Sequence, residues 1–100
     1  MDLIILRENF NWSVVKYIFF TLSLAFYFNS LASERLYKDA RQLFKEKKYT
    51  ASSNKWEILS TRFPQDQITH MNAGIAAFYS GKYNLALRHF TRIAEAKDSL

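Results

Sequence analysis

At residues 49–59 the chain reads YTASSNKWEIL, and at 83–93, after a shift of 34, it reads YNLALRHFTRI. The likeness is one of residue type. Tyr49 falls on Tyr83, Trp56 on Phe90 and Leu59 on Ile93, and the same shift carries Ala40 onto Gly74, Phe44 onto Phe78 and Lys48 onto Lys82. A fixed period of this length marks a repeated supersecondary unit that buries its apolar face by stacking on its neighbours. Two units follow, 33–66 and 67–100.

The periodicity inside each unit is helical. Leu36, Tyr37, Ala40, Leu43 and Phe44 recur at helix spacing, and after Tyr49 a second helical pattern runs through Trp56, Leu59 and Phe63. With 2 Gly and 1 Pro in 100 residues the chain lacks the turn formers of a many-stranded fold, and 49% hydrophobic content is too much for a disordered one. An all-α chain is expected. Thr50 and Asn84, also 34 apart, are good cap types and are expected at the N-cap of each unit's second helix. Gly81 is placed to end a helix, and Pro64 with Asp66 predicts a turn over 63–66 whose aspartate caps the next helix.

These residues resemble the motif of the tetratricopeptide repeat, in the style of bacterial cell-envelope proteins. Counting Ser33 and Gln67 as position one, the family's small residue at position 8 matches Ala40 and Gly74, its aromatic before the second helix Tyr49 and Tyr83, and its aromatic at position 24 Trp56 and Phe90. Ala86 matches the small residue at position 20 and Pro64 the closing proline. Departures are His70 where a large apolar residue is usual, Ser52 at position 20 of the first unit, and Asp98 in place of the second closing proline. The resemblance implies an all-α fold of two helix-turn-helix repeats, a fragment of a helical solenoid, behind a hydrophobic N-terminal helix. It implies a protein-interaction function on the inner face of the first helices, which assigns partner binding to Tyr37, Arg41, Phe44 and Lys45 in one unit and to Ile68, Met71, Ile75, Phe78 and Tyr79 in the other. Apolar and aromatic anchors there suit a peptide or a partner helix, with Arg41 and Lys45 available to carboxylates. Phe44 and Phe78 serve equally well as packing between units. The carboxylate clamp of some relatives is not reproduced: Tyr37 and Arg41 stand at its first two places, and only Asn72 agrees. Two repeats are fewer than the roughly three of a self-sufficient solenoid, so a longer array, self-association or a covering partner is expected.

The N-terminal third is of different composition. Residues 17–28, YIFFTLSLAFYF, carry no charge, follow Lys16 and precede the small residues Ser30 and Ala32. That is the layout of a signal peptide with a cut between Ala32 and Ser33. A run of this length spans roughly 18 Å of a roughly 30 Å hydrocarbon layer, so an uncleaved anchor needs its flanks and would extend from Phe10 to Ala32. Asp2, Glu8 and the apolar patch at 3–6 are atypical of a basic leader. The segment therefore reads as signal or membrane anchor, and the location as exported, periplasm or cell envelope, with inner-membrane anchoring as the alternative.

Several function classes are disfavoured. The chain has no cysteine, hence no disulfide framework, thiolate metal site or cysteine nucleophile. Its two histidines, His70 and His89, lie in no metal-ligand or nucleophile motif and are expected as separate surface or partly packed side chains. Acidic residues are dispersed, and two glycines build no phosphate-cradling loop. No enzyme, cofactor or metal is expected. The net charge of +5 is scattered among acidic residues, so nucleic-acid binding by a basic helical domain is a minor alternative. The leading expectation is a non-catalytic adaptor or assembly factor, and the second a membrane-anchored structural subunit of a larger complex.

Overall fold

The computed structural model describes residues 11–98. The leader residues Asp2, Glu8 and Phe10 and the patch at 3–6 lie outside them, as do the last two residues of the second sequence unit. The described chain is all-helical: α1, Trp12–Lys45; α2, Tyr49–Arg62; α3, Gln67–Tyr79; and α4, Tyr83–Asp98. It divides into two compact units, one ending at Ala32 and the other beginning at Ser33.

In the first unit α1 exposes Tyr17, Phe19, Phe20, Leu22, Phe26, Tyr27 and Phe28, so its apolar residues form no single core-facing stripe. By length and composition α1 is long and apolar enough to cross a membrane. Ala32 and Ser33 both lie within it, so the proposed cut site carries no helix break.

The second unit has its own core, made of Ala40 from α1, Trp56 and Leu59 from α2, and Ala73 and Ala76 from α3, with Leu36, Tyr37 and Phe44 packed against it. The alanines allow close helix approach, and the indole of Trp56 fills the space this leaves. Ser52, where the sister position is Ala86, uses its hydroxyl to donate to the Ala40 carbonyl at 2.7 Å and so ties α2 to α1. At Gly74 a Cβ would stand 2.6 Å from Cε1 of Phe90, so the absent side chain is what lets the α4 aromatic lie on α3.

The α1–α2 and α3–α4 turns are the same turn, bond for bond. Lys48 N donates to Leu43 O at 2.9 Å and Lys82 N to Ala77 O at 2.8 Å, while Lys47 N to Phe44 O and Gly81 N to Phe78 O are both 3.0 Å. Each bond recurs one sequence period on. The residue after each C-cap is left-handed, Lys47 with φ 62 and Gly81 with φ 84, as a helix-terminating bond from beyond the C-cap requires. This geometry corrects the cap assignment. The chain reverses so quickly that Lys48 and Lys82 already accept the first bonds of the next helix, from Ser52 N and Ala86 N. Thr50 and Asn84 therefore fall inside the first turn of α2 and α4, and no side-chain cap bond forms at Lys48. Asp66 caps as its type predicts, accepting from Ile68 N at 3.2 Å and from Thr69 Oγ1 at 2.6 Å.

Candidate functional site

A groove of about 470 Å³ lies on the second unit, lined by Tyr37, Arg41, Phe44 and Lys45 of α1, Trp56 of α2, and Asn72 and Ile75 of α3. The α1 residues follow at intervals of four, three and one, which puts them on one helix face. Tyr37 and Trp56 meet edge-to-face with ring centroids 5.1 Å apart, giving the groove an aromatic wall. Arg41 holds its guanidinium 5.8 Å from the centroid of the Tyr37 ring. Neither Arg41 nor Lys45 is in an ion pair among the described residues, so two cations border an aromatic groove with their charge unmatched.

Of the residues assigned to partner binding from sequence, Tyr37, Arg41, Phe44, Lys45 and Ile75 meet in this groove. Ile68, Met71, Phe78 and Tyr79 are exposed and do not line it. Tyr79 joins Phe44 and Tyr49 in a triangle of rings with centroids 5.1 to 5.4 Å apart, and Phe78 packs edge-on against Tyr83 at 5.5 Å. The triangle fastens α1, α2 and α3 together beside the groove, and the Phe78–Tyr83 pair joins α3 to α4. Trp56 and Asn72 line it without having been assigned to it. Trp56 reads as core from its spacing, and it is both core and groove wall. Asn72 carried a signal, as the one residue agreeing with the carboxylate clamp of the repeat family that the sequence resembles.

A second polar cluster is one the sequence did not disclose. His70 on α3 and His89 on α4, 5% and 7% exposed, face each other with Nδ1 atoms 2.9 Å apart. Nε2 of His70 lies 2.9 Å from the carbonyl of Pro64, and Nε2 of His89 is hydrogen-bonded to Glu57 on α2. The expectation of separate histidines is thus corrected. The cause is that α3 and α4 run side by side, which joins positions 19 apart in sequence. Among the described residues no three His, Cys, Asp or Glu side chains converge as a metal-holding group. Here Glu57 addresses the far nitrogen of His89, away from the point where the rings meet.

One carboxyl outside these sites is perturbed. The Gln42 side chain donates to Glu46, and Lys48 both bonds and attracts it, which holds the Glu46 carboxyl below its ordinary range.

No family model matches the chain, and no curated protein or solved structure matches it significantly.

Proposed function

We propose that residues 33–100 form two tetratricopeptide-type repeats that act as a protein-interaction module without catalytic activity, and that the module grips an acidic peptide or partner helix in the groove of Tyr37, Arg41, Phe44, Lys45, Trp56, Asn72 and Ile75. The observation that carries this is the pairing of an aromatic wall with the unmatched cations Arg41 and Lys45. Aromatic and apolar side chains provide desolvated anchoring, and the cations select a carboxylate and orient it. Repeat architecture is supported by the two turns, whose hydrogen bonds recur one sequence period apart, and by the close approach at Gly74.

In this reading α1 also delivers the module. Its exposed apolar residues before Ala32 suit a translocon or lipid, which makes the protein an exported or membrane-tethered component of the cell envelope. Retention of α1 in the bilayer favours the second reading, a structural subunit packed on a larger membrane complex. The two differ in the fate of the bond between Ala32 and Ser33, which N-terminal sequencing of the protein from its own cells reads directly.

A peptide array tests the groove. The full chain should retain peptides that combine aromatic or aliphatic residues with carboxylates, and the double substitution Arg41→Glu with Lys45→Glu should abolish that retention. Preference for basic peptides, or binding indifferent to the double substitution, refutes the proposal.

A further inference from the structure

The chain Pro64 carbonyl, His70, His89, Glu57 has two buried imidazoles at its centre and a part-exposed carboxylate at one end; it has three links, and each needs one hydrogen. The carbonyl can only accept, so Nε2 of His70 carries a hydrogen. If His70 is otherwise neutral, its Nδ1 is an acceptor and Nδ1 of His89 must donate. Nε2 of His89 then faces Glu57, and a carboxylate can only accept, so that nitrogen needs a hydrogen as well. Two neutral imidazoles bring two hydrogens between them. Three are required.

We propose that the Glu57, His89 and His70 cluster is a proton-binding site, in which one proton beyond those of two neutral imidazoles and a carboxylate joins α2, α3, α4 and the α2–α3 turn. The extra proton is placed on an imidazole because imidazole is a stronger base than a carboxylate, and on His89 rather than His70 because His89 is the ring held against the Glu57 carboxylate. Withdrawing the proton leaves one of the three links with two acceptors facing each other and removes a hydrogen bond to a charged group. Adding a second proton sets two N–H groups against each other at the 2.9 Å junction. The fold is therefore matched to single occupancy. The other charged groups nearby do not supply the missing hydrogen: Asp66 is engaged with Ile68 N and Thr69, Arg62 donates to Ser33, and Arg88 and Arg92 are exposed on α4. Because α3 also carries Asn72 and Ile75, this proton helps to hold one wall of the groove. The inference itself depends only on the cluster geometry and stands whether or not the groove binds a partner.

The sign follows from linkage. Above about pH 7 free histidines of the unfolded chain are neutral, while the folded unit holds its extra proton, so the folded state binds more protons and stability falls as pH rises. The test is urea unfolding of the full chain in detergent micelles, with Trp12→Phe so that Trp56 alone reports, at a series of pH values from about 7 upward. The unfolding constant should rise about tenfold per pH unit until the folded cluster releases its proton. Glu57→Gln offers the isosteric contrast: its amide N–H donates to a neutral His89, all three links close without an extra proton, and the slope should vanish. Imidazole ¹⁵N spectra of the wild-type chain in the same range should show His89 protonated on both nitrogens and His70 on Nε2 alone. A pH-independent unfolding constant, a slope that survives Glu57→Gln, or two neutral rings would overturn the proposal.

Discussion

Trp56 is the largest side chain in the core of the second unit. It is 3% exposed, touches Tyr37 edge-to-face at 5.1 Å, and packs with Ala40, Leu59, Ala73 and Ala76. Its neighbours are mostly alanines, too small to collapse into the space that Trp56→Ala would leave, so the cost should lie toward the upper part of the on the order of 3–5 kcal/mol typical of such truncations. Total stability for a unit of this size is about 3–10 kcal/mol, so the variant should be partly unfolded. Phe90, its counterpart one sequence period on, is 39% exposed. Removing it forfeits only the buried fraction of the ring, about 2–3 kcal/mol by the same scale. Hydrogen exchange of the α2 and α3 amides in the full chain measures both. Trp56→Ala should accelerate exchange there by roughly 100-fold to several thousand-fold, since each 1.36 kcal/mol is about tenfold, and Phe90→Ala should do so by less. Equal effects, or an unchanged exchange pattern in Trp56→Ala, would show that the packing described here is wrong.

Three further substitutions probe particular bonds. Lys47 is left-handed where the sister turn has Gly81, so Lys47→Gly should stabilise the unit by roughly 1 kcal/mol, read as a higher urea midpoint. Ser53 is buried with its hydroxyl unpartnered among the described residues, and Ser53→Ala should be stabilising by about 1 kcal/mol, where a loss of stability would mean that the hydroxyl has a partner. Asp66→Ala removes the cap of α3 and should cost about 1 kcal/mol, with faster amide exchange first at Ile68 and Thr69.

The helices were legible because their signals are local. Apolar spacing, Pro64 and Asp66 place α2 and α3 within a residue or so of where they lie, and Gly81 marks a turn whose left-handed residue favours glycine. The turn after α1 was harder to read because Lys47 adopts the same left-handed conformation without glycine, and Thr50 and Asn84 look like caps while the tight reversal makes them unnecessary. The groove was half legible. Helical spacing groups the α1 residues Tyr37, Arg41, Phe44 and Lys45, whereas the rotation of α3, which turns Ile75 and Asn72 inward and leaves Met71 at the surface, depends on side-chain packing between helices. The histidine cluster was illegible for a related reason. Its members come from three helices, and hydrogen bonds between positions so far apart in sequence leave no spacing to detect.

The central claim, that the groove holds a partner, is tested most directly by photo-crosslinking in the protein's own cells. A photoreactive residue in place of Ile75, inside the groove, is compared with one in place of Arg92, exposed on α4. One specific protein should be captured from Ile75 through an acidic, apolar segment, lost when Arg41 and Lys45 are reversed in charge, and not captured from Arg92. Capture of the same protein with equal yield from both positions, or from Ile75 regardless of the charge reversal, would contradict that claim.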